Sequence, residues 1–165
     1  MFLNEVEKIG GSIAKLLLQF PGEYRVRAIT RNPDSESAKE LVNLGAEVVK
    51  ADLTVASELT AALRGCWGVF GVTNFYDTVN FQHQLPFSPF DPYTEIDAHV
   101  QTIKDDPGSE EQQGRNLVKA SLEEGIQCFV WSTLPSSAKL SGGKLVSRIY
   151  EGMFSASRKL QIDTF

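Results

Sequence analysis

Apolar positions along the chain fall into two alternating rhythms. Four stretches carry them at every second residue or in short unbroken runs: YRVRAIT at 24–30, AEVVKAD at 46–52, WGVFGVTN at 67–74 and IQCFVWSTL at 126–134. Each predicts a β-strand, the last two covered on both faces. Helical spacing fills the intervals. After Gly10-Gly11, the residues Ile13, Leu16, Leu17 and Phe20 share one helical face. SESAKELVNLG (35–45) has Ser35 as N-cap, Leu41 and Leu44 on one face, and Gly45 as the stop. VASELTAALRG (55–65) repeats the pattern, and SEEQQGRNLVKASLEEG (109–125) sets Ser109 three residues before Gln112 as a capping box. Strand and helix alternating through short links predict an α/β, doubly wound fold on a parallel sheet.

Two segments break the rhythm. VNFQHQLPFSPFDPYTEIDAHVQT (79–102) holds both histidines and three of the seven prolines, and its aromatics have no period. It is either an irregular surface insertion or an aromatic lid over a substrate. The tail from 153 to 165 completes no further unit. The organisation expected is therefore one domain over 1–152 with an insert at 79–102, followed by an unrelated tail. Codons for Val79–Phe81, Val100-Gln101 and Gly152–Phe154 can spell intron boundaries, so translated introns would account for both misfits, against the rival of an isoform with a new lid.

Composition narrows the class. With 165 residues, 42% apolar and 22% charged, the chain has the make-up of a soluble globular domain with a real core. A net charge of −5 argues against direct nucleic-acid binding. Glu5, Glu7 and Lys8 interrupt any leader, and no run of eighteen apolar residues spans a membrane. Cys66 and Cys128 form no metal-spaced cluster and read as reduced core thiols, which suits the cytoplasm or nucleus.

The candidate chemistry is that of a nucleotide-binding unit. In a Rossmann arrangement glycines bring the backbone close to a pyrophosphate, and a helix N-terminus supplies amide donors. Gly10, Gly11 and Ser12 are placed to do this. About twenty residues on, a carboxylate would select NAD and a cation NADP. That position falls at Thr30-Arg31, so Arg31 favours NADP, unless it is a solvated arginine at a strand end. Asp52 either receives an adenine amino group or caps the following helix.

VRAITRNPDSESAKELVNLGAEVVKADL, then WGVFGVTNFYD, then EEQQGRNLVKASLEEGIQCFVWSTL, resembles the NmrA-like family, from about Gly10 to Gly152 without the insert. These are atypical relatives of the short-chain dehydrogenases and include regulators that sense the NAD(P) pool. The resemblance implies a Rossmann-like domain that binds NADP, or NAD. It implies Arg31 at the adenosine ribose phosphate, Asp52 and Leu53 at the adenine, and Thr73, Asn74 and Phe75 along the cofactor toward the nicotinamide.

The departures from the family pattern carry equal weight. Its turn is G-x-x-G-x-x-G after a buried first strand, and here Asn4 and Glu7 occupy the first two glycine positions. Three residues cannot cross a sheet, so the domain reads as incomplete, lacking its first strand and its C-terminal substrate region. The strands at 24–30 and 67–74 then lose a shared partner, which would leave the isolated chain marginally stable. None of Tyr24, Tyr76, Tyr93 or Tyr150 has a lysine four residues on, as the Tyr-x-x-x-Lys pair of a dehydrogenase requires. Ser132 stands where the superfamily's serine would, and Met153 near where some relatives carry a lysine. The expectation is a redox-sensing regulator acting through a transcription factor or other protein partner. An NADPH-dependent oxidoreductase of a small carbonyl or enone, and a non-binding fragment, are the alternatives.

Overall fold

Ser35 shows how local chemistry sets an element here. Its hydroxyl accepts from the Ala38 amide and opens a helix over Glu36–Asn43, which Gly45 ends at a φ of 101°. That conformation suits a residue without Cβ. The structure is a computed structural model that describes residues 5–73, 110–133 and 135–145, with the backbone alone for 5–8. The insert at 79–102, the tail at 153–165, Ser109, Tyr76, Tyr93 and Tyr150 lie outside the described residues.

In chain order the elements are α1 (Glu5–Leu17), β1 (Arg27–Thr30), α2 (Glu36–Asn43), β2 (Glu47–Lys50) and α3 (Ala56–Leu63), then β3 (Gly68–Gly71), α4 (Glu110–Glu123), β4 (Cys128–Trp131) and α5 (Ser137–Leu140). The expected strands all form, each shorter than its apolar run. β1 pairs with β2 in parallel, with Ala28 opposite Val48 and Ile29 opposite Val49. β3 pairs with β4 in parallel, with Val69 opposite Phe129 and Phe70 opposite Val130. The two pairs are separate sheets, and β1 and β3 are not hydrogen-bonded to each other. The strands on either side of the predicted gap thus keep one partner each.

Period-two alternation divides the core between the two sheet faces. On one side Ala28 and Val48 pack with Ala14 and Leu18 of the α1 region, Leu41 of α2, and Ala46. On the other, Ile29 and Val49 from the first pair and Val69, Phe129 and Trp131 from the second meet Leu59, Ala62 and Leu63 of α3 and Leu117 and Ala120 of α4. This second cluster joins the two pairs. Arg27 adds a polar tie: its Nη1 donates to the carbonyls of Ala62 (2.8 Å) and Arg64 (2.9 Å), and its Nε to Glu47 at 2.8 Å. The start of β1 is thereby held beside the turn that leads into β3. At Gly71 an added Cβ would stand 2.7 Å from the Trp131 ring and 2.8 Å from Leu117, so the close seating of α4 on β3 depends on that glycine.

α1 corrects two expectations. It begins at Glu5, ahead of the glycine pair rather than at it, so Gly10, Gly11 and Ser12 lie in the helix interior. Its predicted apolar face also turns out differently: Leu16 and Phe20 are about half exposed, Ala14 is buried, and Leu18 packs against the core. Ile13 and Leu17 line an open cavity instead of closing on a strand. Similarly, Leu41 is buried whereas Leu44 is half exposed.

Candidate functional site

The C-terminal ends of parallel strands are where α/β folds gather ligands, because loops and helix N-termini converge there. β1 runs into Arg31 and β2 into the Asp52–Thr54 turn. Both border one large cavity of about 1960 Å³ between the two strand pairs. Gly10, Gly11, Ser12 and Leu53 line the same cavity, so six of the nine residues expected at a dinucleotide surround one space.

Their states differ. Arg31 is exposed. Asp52 Oδ1 accepts from both the amide and the hydroxyl of Thr54, at 2.8 Å each, while its own amide donates to Glu58 at 2.9 Å. It is therefore a turn-maker: Val55, with no side-chain hydrogen bond, stands at the N-cap of α3. The capping alternative for Asp52 is thereby corrected. Asn116 of α4 fixes this turn from across the fold, donating to the carbonyls of Leu53 (2.9 Å) and Thr54 (3.2 Å). Sequence reasoning marked the QGRNL stretch for its order in the chain and missed this role, since a partner more than sixty residues away leaves no local signal.

Gly10, Gly11 and Ser12 do not stand at a helix N-terminus. Within α1 their amides point back along the helix axis toward carbonyls four residues earlier, where they join the helical ladder. The expected cradle of free N–H groups for a pyrophosphate is not formed by this backbone, because α1 continues upstream through Glu5.

Thr73 is buried, and its hydroxyl donates to Glu110 Oε1 at 2.8 Å. It does not line the cavity. Asn74 and Phe75, expected beside it, lie outside the described residues. Glu110, the first residue of α4, was missed by sequence reasoning, in which SEEQQ reads only as a helix start with Ser109 and Gln112 as its capping box. It is 4% exposed, and its second oxygen, Oε2, is buried without a hydrogen-bond partner. Burial pushes its carboxyl from the ordinary 4.5 up to about 7, against the lowering effect of the Thr73 hydroxyl. Ser132 is held by its backbone, with its amide donating to the Gly71 carbonyl at 2.9 Å. Among the described residues no cluster of His, Cys, Asp or Glu is spaced to hold a metal, and no helix is long and apolar enough to cross a membrane.

Comparison with known proteins gives this arrangement a context. Residues 6–86 match the NmrA-like family. The chain is 37% identical over 142 residues to the NmrA-like family domain-containing oxidoreductase hkm9 of Aspergillus hancockii, and 36% identical over 142 residues to the corresponding protein FrzB of Cladobotryum sp. Each alignment covers 86% of this chain and 35% of the relative, so the chain spans about a third of the length of these proteins. Among solved structures, the NADPH-dependent quinone oxidoreductase QOR2 of Escherichia coli, complexed with NADPH, aligns at 17% identity with a TM-score of 0.54, over 92% of this chain and 41% of that one. A second, gox2253, aligns at 21% identity with a TM-score of 0.56, over 92% and 43%. At these identities the two structures speak for a shared fold alone, and this chain spans about two fifths of each.

Proposed function

We propose, from the premise that the chain belongs to the NmrA-like family, that it forms the adenosine-binding side of an NADP-dependent oxidoreductase. One observation carries the reading: Arg31 after β1 and Asp52-Leu53 after β2 border a single cavity at the carboxyl ends of adjacent parallel strands. An exposed guanidinium suits the 2′-phosphate, for which it offers several donors in a planar fork. Asp52 commits Oδ1 to Thr54, which leaves Oδ2 to accept from an adenine amino group. The residues present fit that end of the cofactor. They do not fit its pyrophosphate through the amides of Gly10, Gly11 and Ser12, so that role is not assigned to them. A bound nicotinamide dinucleotide would supply hydride to the substrate, and the names of the two fungal relatives, both oxidoreductases, support that chemistry; a small carbonyl or enone is the substrate class we propose.

Titration of the purified chain with NADP and with NAD, followed by heat of binding or thermal shift, tests this. NADP is expected to bind more tightly. Arg31→Ala should weaken NADP by about tenfold and leave NAD nearly unchanged, since the charge-assisted contact is to the extra phosphate alone. Equal losses for both dinucleotides, or no binding of either, would overturn the reading; the second result would make the chain a non-binding fragment.

A second reading rests on its own observation: none of the chain's four tyrosines is followed by a lysine four residues on. It is a redox-sensing regulator that meets a transcription factor or other protein partner according to its bound dinucleotide. Stoichiometric NADPH oxidation with an identified product favours the enzyme. Dinucleotide-dependent capture of a partner without turnover favours the regulator.

A further inference from the structure

An asparagine inside a helix stands against local preference, because its amide competes with the backbone for hydrogen bonds. Asn116 nevertheless sits buried in the middle of α4. Its Nδ2 donates to the Leu53 carbonyl at 2.9 Å and to the Thr54 carbonyl at 3.2 Å. Its Oδ1 accepts from Gln112 Nε2 at 2.8 Å, one turn earlier on the same helical face. These contacts fit one orientation of the amide and not the reverse, since a flip would set Oδ1 against two carbonyls. Gln112 therefore fixes which way Asn116 points.

The turn that Asn116 holds is fastened at its other points too. The Asp52 amide donates to Glu58 at 2.9 Å, its carbonyl accepts from the Val55 amide at 3.0 Å, and its Oδ1 is taken by Thr54. Among the described residues, Oδ2 is the acceptor left over. Leu53 packs on the cluster of α3 and α4 while bordering the cavity. Where Oδ2 points is thus decided by the backbone of 52–54, and that backbone hangs on Asn116. We propose that the Gln112–Asn116 pair sets the base selectivity of this site, by keeping Asp52 Oδ2 in place for a base that offers an exocyclic amino group. The ligand class so selected is an adenine nucleotide, over one whose base carries a carbonyl there. The inference rests on the reading that Asp52 meets the adenine. Neither Gln112 nor Asn116 lines the cavity, so both are positioning residues that act through the turn.

Hydrogen-bond chemistry supplies the discrimination. An amino group donates to the carboxylate, whereas a carbonyl in the same place sets oxygen against oxygen. Gaining or losing a hydrogen bond to a charged group changes affinity by about tenfold. Once the turn slackens, Asp52 swings aside for either base and the preference goes, while contacts to the rest of the ligand persist. Gln112→Glu is the direct probe, because the new side chain has the same shape at a half-buried position but only accepts. It draws Asn116 Nδ2 toward itself and turns Oδ1 toward the Leu53 and Thr54 carbonyls. Both contacts then break without any cavity being made.

Calorimetric titration of the whole chain with NADP, and with its deamino analogue in which hypoxanthine replaces adenine, tests the pair. The parent should prefer NADP by about tenfold. Gln112→Glu and Asn116→Ala should cut that preference to about twofold or less, whereas Arg31→Ala should weaken both ligands alike and keep it. Variants at 112 and 116 that weaken both ligands equally and keep the preference would show a support of the fold at large, and would overturn the proposal. A parent indifferent to the base, or binding neither ligand, would overturn the reading of Asp52 and the proposal with it. Amide hydrogen exchange without ligand tells the two failures apart. The Thr54 amide, held by Asp52 Oδ1, should exchange about tenfold faster in both variants, while the Leu44 and Ala46 amides at the end of α2 stay as in the parent. Unchanged exchange at Thr54, or all amides quickened alike, would overturn the positioning role even where the parent discriminates.

Discussion

Glu110 starts a helix, where a carboxylate is ordinarily welcome beside the exposed amides. Here it is enclosed, with one oxygen held by Thr73 and the other unpaired. Burial outweighs the hydrogen bond and lifts the carboxyl to about 7. The folded state therefore holds this proton more tightly than the unfolded chain, whose carboxyl titrates near the ordinary 4.5. The penalty is absent below that pH, accumulates as pH rises through the interval to about 7, and persists above it. Across the interval it amounts to about 3 kcal/mol. Glu110→Gln keeps an oxygen to accept from Thr73 and removes the charge. In urea unfolding it should match the parent near pH 4.5 and exceed it by roughly 2–3 kcal/mol at pH 8. An equal difference at both pH values would mean that the carboxyl titrates normally. No sequence pattern announces this residue, because its burial depends on what α4 leans against.

Among the elements, what could be read in advance was what the chain decides locally. Ser35, Gly45 and the period-two runs are sufficient causes of their own caps, stops and strands, and these formed where the pattern put them. The start of α1 was not legible for a related reason. A glycine pair before an apolar run reads as a turn, because glycine in a helix interior costs roughly 0.5–1 kcal/mol against alanine. The helix nonetheless runs through Gly10 and Gly11 from Glu5. The spacing of apolar residues carries on through Ile9 and Ile13, and helical backbone there satisfies its own hydrogen bonds. This yields a sharp test. A Cβ at Gly10 would meet Val72 at an ordinary 3.8 Å, and one at Gly11 would meet nothing within 4 Å. The double substitution Gly10→Ala with Gly11→Ala should therefore stabilise the chain by about 1–2 kcal/mol in denaturant unfolding. A loss of stability would show that these residues need the conformational freedom of a phosphate turn after all. The candidate site was legible in the same partial way. Arg31 and Asp52 follow strands and so could be counted to, whereas the Asn116 clamp and the Thr73–Glu110 contact arise from distant segments meeting.

For the molecule as a whole, the two strand pairs are one body on a single side. The cluster of α3 and α4 residues with Ile29, Val49, Val69, Phe129 and Trp131 spans both pairs, and Arg27 binds the same junction through backbone carbonyls. Opposite that cluster, α1 and α2 cover the first pair. Among the described residues, side chains thus bridge two strand pairs that no backbone hydrogen bond joins. The resemblance to NmrA-like proteins was legible because three separated stretches kept their order.

The edges of β1 and β3, unpaired among the described residues, have a consequence for how the protein behaves in a test tube. Main-chain groups that seek a partner accept any extended chain, and neighbours with Val69-Phe70 and Cys128–Trp131 exposed during unfolding offer suitable ones. The net charge of −5 opposes such encounters only as far as salt permits. Turbidity and light scattering of the isolated chain should therefore rise with protein concentration and with ionic strength. Scattering that ignores both would mean that the edges are already protected.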